Sequence, residues 1–247
     1  MLVNQRIDFV SNWINNYIDQ SSNKSFNLVI GVSGGIDSAV TSTLCAKTNK
    51  KTIVVSMPIR QNKKQHSLSL EHIDWLKLNF NNVESYIIDL DEIFKSFQGA
   101  MKDFDSELAF ANSRSRLRMV TLYQIAQSKN ALVVGTGNKV EDFGIGFYTK
   151  YGDGGVDISP IADCTKTEIW EMGKVLGISK NIIEAKPTDG LWDDSRNDEE
   201  QIGLSYKQLE EAMVNSESKY FEKYTQIRKP NLHKMNAIPI CKFKKKQ

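Results

Sequence analysis

The sequence is poor in cysteine, with only three, Cys45, Cys164 and Cys241, in 247 residues. They are unevenly spaced and form no CxxC pair, so neither a zinc motif nor a disulfide framework is predicted. Unpaired cysteines of this kind suit a reducing compartment, and Cys45 is expected to pack in a helix core rather than act as a nucleophile. The expected location is therefore cytoplasmic.

Long apolar runs and an excess of one charge are also missing. No stretch approaches the roughly 20 apolar residues that cross a bilayer, and polar Asp8, Ser11 and Asn12 interrupt what would be the apolar block of a signal peptide. Lys and Arg total 32 against 30 Asp and Glu, a net charge of +2. This balance gives no electrostatic case for nucleic acid. We therefore expect neither a membrane nor a nucleic acid as partner.

Strand patterns and helix patterns alternate along the chain. Four apolar runs predict strands, at residues 28–30, 52–57, 83–90 and 131–134. Apolar spacings of three and four predict helices, over about residues 4–20, from about 64 and over 106–128. Parallel strands need crossover connections, so the alternation predicts an α/β fold with a doubly wound parallel sheet flanked by helices, in one domain over residues 1–247.

A glycine-rich turn joins the first predicted strand to a helix over residues 39–46. It has the sequence Gly31-Val32-Ser33-Gly34-Gly35-Ile36-Asp37-Ser38. Glycines bring backbone N–H groups close to an anion, and a helix start adds partial positive charge, so the turn predicts a phosphate site. The turn fits neither the P-loop nor the dinucleotide fingerprint.

Asp37 is the unusual residue of this turn. A carboxylate repels bound phosphates unless a divalent cation lies between them, so Asp37 predicts Mg²⁺ that bridges the protein and a pyrophosphate. The alternative is that Ser33 or Asp37 only caps the following helix.

Two further segments carry candidate site residues. The strand predicted at 131–134 ends in small residues, where Thr136 can offer a hydroxyl and Glu141 can join Asp37 on the metal. Three glycines lie within four residues at 152–155, between Lys150 and Asp157, which suits a loop that closes over a polar ligand. An ordinary glycine turn is the alternative there.

The long helix predicted over residues 106–128 carries three arginines. In a regular helix Arg114 and Arg118 share a face, whereas Arg116 points almost opposite. The three side chains therefore cannot all bind one anion. A solvated helix face is the alternative to a binding role.

The motif at residues 33–38, SGGIDS, resembles the pyrophosphate-binding loop of the ATP-pyrophosphatases, and FYTKYGDGGVD at 147–157 resembles the signature of NAD synthetases. Residues 186–189 and 198–209 and the pair His233-Lys234 are similar to later segments of the same enzymes. The acidic loop at 190–197 does not align with them. The resemblance covers most of the chain.

The resemblance implies an ammonia-dependent NAD synthetase. ATP would adenylate the nicotinate carboxylate of deamido-NAD, pyrophosphate would leave, and ammonia would displace AMP. Enzymes of this family are homodimers with the dinucleotide site at the subunit interface. The implied cofactor is Mg²⁺ on Asp37 and Glu141, and Asp153 would orient or deprotonate ammonia. The remaining ATP contacts would be Gly31, Val32, Ser33, Gly34, Gly35, Ile36, Ser38, Thr136, Lys166 and Thr188. The implied deamido-NAD contacts are Arg116, Lys150, Asp157, His233 and Lys234.

Two other functions stay open at this stage. Another ATP-pyrophosphatase could adenylate a tRNA base or a small acid, although the sequence has no RNA-binding extension and no catalytic cysteine pair. A nucleotide sensor without turnover would have less need of Asp37 and Glu141, the predicted metal ligands.

Overall fold

The computed structural model describes residues 1–21, 26–188, 190–191 and 197–243. Its helices and strands are, in chain order, α1 (Val3–Gln20), β1 (Asn27–Gly31), α2 (Ile36–Ala46), β2 (Thr52–Ser56), α3 (Lys63–Asn79), β3 (Val83–Ile87), α4 (Asp91–Ala100), α5 (Glu107–Lys129), β4 (Ala131–Val133), α6 (Lys166–Leu176), α7 (Lys180–Ile183), α8 (Asp198–Ile202), α9 (Tyr206–Val214), α10 (Phe221–Arg228) and α11 (Leu232–Met235). A π-helix (Lys139–Ile145) follows β4.

The strands form one parallel sheet in the order β3-β2-β1-β4. In register, Val29 of β1 lies beside Ile53 of β2 and Val133 of β4. The chain moves outward from β1 to β3 and then returns to place β4 on the other side of β1. The order of strands therefore reverses between β1 and β4, and ligands bind at such a point beyond the carboxyl ends of the strands.

Helices cover both faces of the sheet. Alternate residues of β1 face opposite ways: Leu28 and Ile30 pack with α1, α2, α3 and α6, whereas Val29 packs with α4 and α5. All three are fully buried. The predicted doubly wound α/β fold is confirmed.

A third apolar cluster lies beside the sheet and is built by the π-helix and the helices of the C-terminal part. Val140 and Ile145 of the π-helix pack with Ile202, Tyr206 and Leu209. The cluster fixes α8 and α9 next to the carboxyl end of β4. It thereby brings residues far apart in the sequence to the end of the sheet where ligands bind.

The structure differs from the prediction most at the start of α2, at the end of β3 and in the segment after β4. Helix α2 begins at Ile36 rather than at residue 39, so Asp37 and Ser38 lie in its first turn. Strand β3 ends at Ile87, and the π-helix was not predicted at all. Within the described residues, no helix is both long enough and apolar enough to cross a membrane.

Candidate active site

A cavity of about 240 Å³ opens at the carboxyl ends of the strands. It is lined by the turn after β1, the end of β2, one face of α5, the segment after β4, the start of α6 and residues near the start of α8. Most of the predicted ATP residues lie on its wall: Gly31, Val32, Ser33, Gly35, Ile36, Asp37, Ser38, Thr136, Lys166 and Thr188. The predicted metal residue Glu141 and the loop carboxylate Asp153 line it too.

The glycine turn after β1 is held by its own serines. The Ser38 hydroxyl donates to Gly35 O at 2.9 Å and accepts from Ser33 N at 3.2 Å. The N-cap residue of α2 is Gly35, so the helix start has no side-chain cap and neither Ser33 nor Asp37 is the cap residue. The capping alternative for Asp37 is therefore wrong. The first residues of α2, Ile36 to Ser38, line the cavity, so the N-terminus of the helix lies where a phosphate site requires it.

Lys166 joins the two carboxylates that the sequence predicted as metal ligands. Its Nζ lies 2.6 Å from Asp37 Oδ2 and 2.8 Å from Glu141 Oε1, and its side chain is 1% exposed. A cation thus already sits between the two carboxylates. Oxygen ligands of this kind suit Mg²⁺, which usually binds one or two carboxylates and completes its shell with water and phosphate oxygens. The donor set therefore fits Mg²⁺.

The pKa values of Asp37, Glu141 and Lys166 are shifted by desolvation and by the charges of the neighbouring groups. Burial raises the pKa of Asp37, and the nearby Glu141 adds to this effect, while Lys166 opposes it. Burial also acts to raise the pKa of Glu141, but the charge of Lys166 and hydrogen bonds from Lys166 and Tyr206 outweigh it, so this pKa is lowered. The two carboxylates raise the pKa of Lys166 despite its burial, which keeps the ammonium charged.

Asn138 links Asp37 to the start of the π-helix that carries Glu141. The sequence analysis did not select Asn138 as a site residue. Its Oδ1 accepts from the N–H groups of Val140 and Glu141, each at 3.0 Å, and so caps the π-helix. Its Nδ2 donates to Asp37 Oδ1 at 3.0 Å. The position of Asn138, directly after small residues at a strand end, was the available signal.

Asp153 is fixed by the first turn of its own loop and by α5. Its Oδ1 accepts from Ser115 Oγ at 2.7 Å and from Thr149 N at 3.0 Å, while its own N–H donates to Ser115 Oγ at 2.9 Å. Desolvation of the carboxyl raises its pKa, which the hydrogen bonds from Ser115 and Thr149 partly offset. Asp153 thus lines the cavity with its Oδ1 held by Ser115 and Thr149.

The amino-acid sequence of this chain is similar to those of known proteins along its whole length. Residues 6–247 match the family model described as NAD synthase. The chain belongs to the NAD synthase family. An NH(3)-dependent NAD(+) synthetase from Mesoplasma florum is 36% identical over 255 aligned residues, which cover 100% of each chain.

Two solved structures share the fold. An NMN synthetase from Francisella tularensis has a TM-score of 0.88 and 30% identity, covering 98% of this chain and 100% of that one. An NH3-dependent NAD synthetase from Campylobacter jejuni, solved with a nitrate ion, has a TM-score of 0.78 and 26% identity, covering 98% and 100%.

The five predicted deamido-NAD contacts lie outside the lining of the cavity. Arg116 is exposed, and its Nε donates to Lys150 O at 3.2 Å. Asp157 accepts from the Val133 N–H at 2.7 Å, which anchors it to β4. Elsewhere, Lys234 Nζ donates to Tyr148 O at 2.7 Å, and His233 Nδ1 lies 2.9 Å from Pro230 O.

The arginines of α5 face as their spacing predicts. Arg114 is buried and stacks over Phe94, with 5.3 Å from guanidinium to ring centroid. Arg118 lines the cavity and donates from Nε to Met57 O at 3.0 Å, whereas Arg116 is exposed. Arg118 is thus a further cavity residue that the sequence argument did not select. Of the loop at 190–197, residues 192–196 lie outside the described part of the chain.

Proposed function

We propose that this chain is an ammonia-dependent NAD synthetase, one catalytic domain over residues 1–247, which converts deamido-NAD, ATP and ammonia into NAD, AMP and pyrophosphate. The observation that carries the proposal is the ion-paired Asp37–Lys166–Glu141 group beside the glycine turn, at the point where the strand order reverses. Membership of the NAD synthase family supports it, as does the naming of the Mesoplasma relative.

The chemistry explains why both ATP and a phosphate site are needed. A carboxylate is a poor acyl donor because its leaving group would be oxide. In the first step a nicotinate carboxylate oxygen attacks the α-phosphorus of ATP, and the bond to the β-phosphate breaks. In the second step ammonia attacks the acyl carbon of the adenylate, AMP leaves and a proton is released. Catalysis then depends on positioning and on stabilising charge rather than on a protein nucleophile.

The residues of the cavity have distinct tasks in this scheme. The turn from Gly31 to Ser38 binds the phosphates through N–H groups, and Thr136, Lys166 and Thr188 contact ATP. Asp37 and Glu141 would hold Mg²⁺, which when bound neutralises the charge of the departing pyrophosphate. Titration with Mn²⁺ in the presence of ATP, followed by electron paramagnetic resonance, tests this: D37N should weaken Mn²⁺ binding, and unchanged binding would remove Asp37 from the metal site.

Asp153 is proposed to orient ammonia or to accept a proton from ammonium. Its raised pKa and its place on the cavity wall support this role. Asp153→Asn keeps the shape of the side chain and removes the acceptor charge. We expect the variant to lose kcat/KM for ammonium with little change in the KM for ATP, and to recover partly at high pH, where more free ammonia is present. An unchanged kcat/KM for ammonium in the variant would refute the role.

The proposed activity is tested by incubating the protein with deamido-NAD, ATP and Mg²⁺, with either ammonium or glutamine as nitrogen source. NAD formed with ammonium and not with glutamine is the expected result. Release of pyrophosphate only with another acceptor would favour a different ATP-pyrophosphatase. ATP binding without any release of pyrophosphate would favour a sensor.

A mononucleotide is the second candidate substrate. The NMN synthetase from Francisella tularensis superposes over nearly the whole chain, which favours the amidation of nicotinate mononucleotide by the same two steps. The two substrates share the nicotinate carboxylate and differ in the adenylate half. Comparing kcat/KM for deamido-NAD and nicotinate mononucleotide decides between them, and a higher value for the mononucleotide would replace the dinucleotide as the substrate.

We also infer a homodimer in a reducing, cytoplasmic compartment. Large apolar side chains are exposed on α4, on the turn that follows it and at the start of α5, with Ile93 at 54%, Phe104 at 74% and Leu108 at 60%. Exposed apolar side chains close together in the sequence support a subunit interface, and Arg116 lies farther along α5. Sedimentation equilibrium tests the inference, because a monomer at micromolar concentration would contradict it. The three free cysteines support the compartment.

A further inference from the structure

Tyr206 contacts the candidate metal-binding carboxylates although it lies far from them in the sequence. It is the first residue of α9, and it is 1% exposed. Its hydroxyl oxygen lies 2.5 Å from Glu141 Oε1 and 3.1 Å from Asp198 Oδ2. A buried tyrosine thus directs its only polar group at a residue that the proposed function assigns to the metal.

The ring of Tyr206 is held on two sides. Lys166 Nζ lies 4.8 Å from the ring centroid, over its face, so the lysine contacts both the ring and the Glu141 carboxylate. On another side Trp170 packs edge-on, with ring centroids 5.8 Å apart and an angle of 88° between the planes. Since the ring cannot turn away without breaking these contacts, the direction of the hydroxyl is fixed by packing.

The hydroxyl carries one proton, and two carboxylates face it. A neutral tyrosine donates a single hydrogen bond, and the shorter contact assigns that bond to Glu141. Asp198 is the second acceptor within reach. It is 5% exposed, lines the cavity, and is tied to the preceding segment by donation from its N–H to Pro187 O at 3.0 Å.

We propose that Tyr206 is a positioning residue, which holds the Glu141 carboxylate in its metal-binding orientation by donating a hydrogen bond to Oε1. The inference rests on the proposed function, because Glu141 is a metal ligand only in that scheme. Oε1 also accepts from Lys166 Nζ at 2.8 Å, so the hydroxyl and the ammonium hold the same carboxylate oxygen. Partners of this kind, one shell beyond the metal, orient the ligands and commonly change metal affinity about 10- to 100-fold when they are removed.

The test compares two tyrosines of the same apolar cluster. Tyr206→Phe removes the hydroxyl bound to Glu141, and Tyr224→Phe removes a hydroxyl that donates to the backbone Gly144 O at 3.2 Å. Mn²⁺ binding is measured by electron paramagnetic resonance with a non-hydrolysable ATP analogue. Tyr206→Phe should weaken Mn²⁺ binding by about 10-fold or more and raise the Mg²⁺ concentration needed for half-maximal rate, while Tyr224→Phe should do neither.

A second comparison separates action through Glu141 from a general loss of packing. In a Glu141→Gln background, Tyr206→Phe should weaken Mn²⁺ binding little further, since residues that act as a unit are not additive. Equal Mn²⁺ affinity of wild type and Tyr206→Phe would overturn the proposal, and so would equal weakening by Tyr224→Phe.

If Tyr206→Phe does not fold, 3-fluorotyrosine at position 206 keeps the ring and makes the hydroxyl a stronger donor. It should change Mn²⁺ affinity, and no change would overturn the proposal. NAD formation by the wild-type protein tests the proposed function separately, so the two failures are distinguishable.

Discussion

Replacing Gly34 with alanine tests how the glycine turn is built. Gly34 has φ +90°, on the left-handed side where an L side chain is strained. A Cβ there would lie 2.5 Å from Gln65 O and 2.9 Å from Ser69 N, both backbone atoms of α3. Because helix backbone cannot move aside as a flexible side chain does, the turn or α3 must shift.

The cost follows from these two effects. The left-handed backbone costs an L residue about 1 to 2 kcal/mol, and overpacking adds about 1 to 3 kcal/mol. Gly34→Ala should therefore lower the free energy of unfolding by roughly 2 to 5 kcal/mol. For a chain of this size that lowers the Tm by roughly 4 to 20 °C. The displaced turn should also weaken ATP binding.

Two other glycines serve as matched controls in the same thermal and urea denaturation series. Gly35 has φ −88°, and its added Cβ would meet only Ser33 Oγ at 3.5 Å, so Gly35→Ala should cost about 1 kcal/mol or less through the weaker N-cap. Gly99, within α4, has nothing within 4 Å of an added Cβ, so Gly99→Ala should stabilise by about 0.4 to 1 kcal/mol. A Gly34→Ala protein as stable as Gly35→Ala would refute the reasoning.

Three more predictions follow from buried groups. Lys166→Met leaves two carboxylates, 18% and 15% exposed, without the cation between them and should cost about 3 kcal/mol, whereas Lys180→Met, which removes an exposed pair at 3.7 Å, should cost less than about 1 kcal/mol in the same urea titration. Burial lowers the pKa of His72 from 6.5 to about 4. The unfolded chain therefore binds this proton first, and stability should fall by about 3 kcal/mol as the pH drops from about 6.5 to 4; His72→Asn should flatten this part of the urea-midpoint profile, and an unchanged slope would contradict it. Burial raises the pKa of Cys45 to about 12 and of Cys164 to about 11, so brief alkylation followed by mass spectrometry should find only the exposed Cys241 modified.

Local patterns were enough to predict the sheet and the glycine turn after its first strand. A window of about ten residues is enough to predict a strand at Leu28-Val29-Ile30 and a turn at the glycines that follow, because strand and helix periods are short. The prediction that Arg116 faces away from Arg114 and Arg118 is also local, and the structure confirms it. Where the prediction was wrong, at the start of α2, the serines bonded within the turn and let the helix begin earlier.

Other features of the site could not be predicted from local sequence patterns. The π-helix depends on the cap by Asn138 and on packing against α9, and neither leaves a periodic signal in the sequence. Tyr206 looks like an ordinary apolar position of an amphipathic helix. Only its position in the fold shows that its hydroxyl meets Glu141.

The sequence by itself determined the alternation of strands and helices and the turn from Gly31 to Ser38, and it predicts a divalent cation on Asp37 and Glu141. Tertiary structure alone decided that Lys166 stands between Asp37 and Glu141, with 129 residues separating it from Asp37. The physical reason is the distance along the chain over which each effect acts. Backbone propensity and hydrophobic period act over a few residues. The ion pairs of Lys166 form only when the sheet and the C-terminal cluster pack together and exclude water from the lysine.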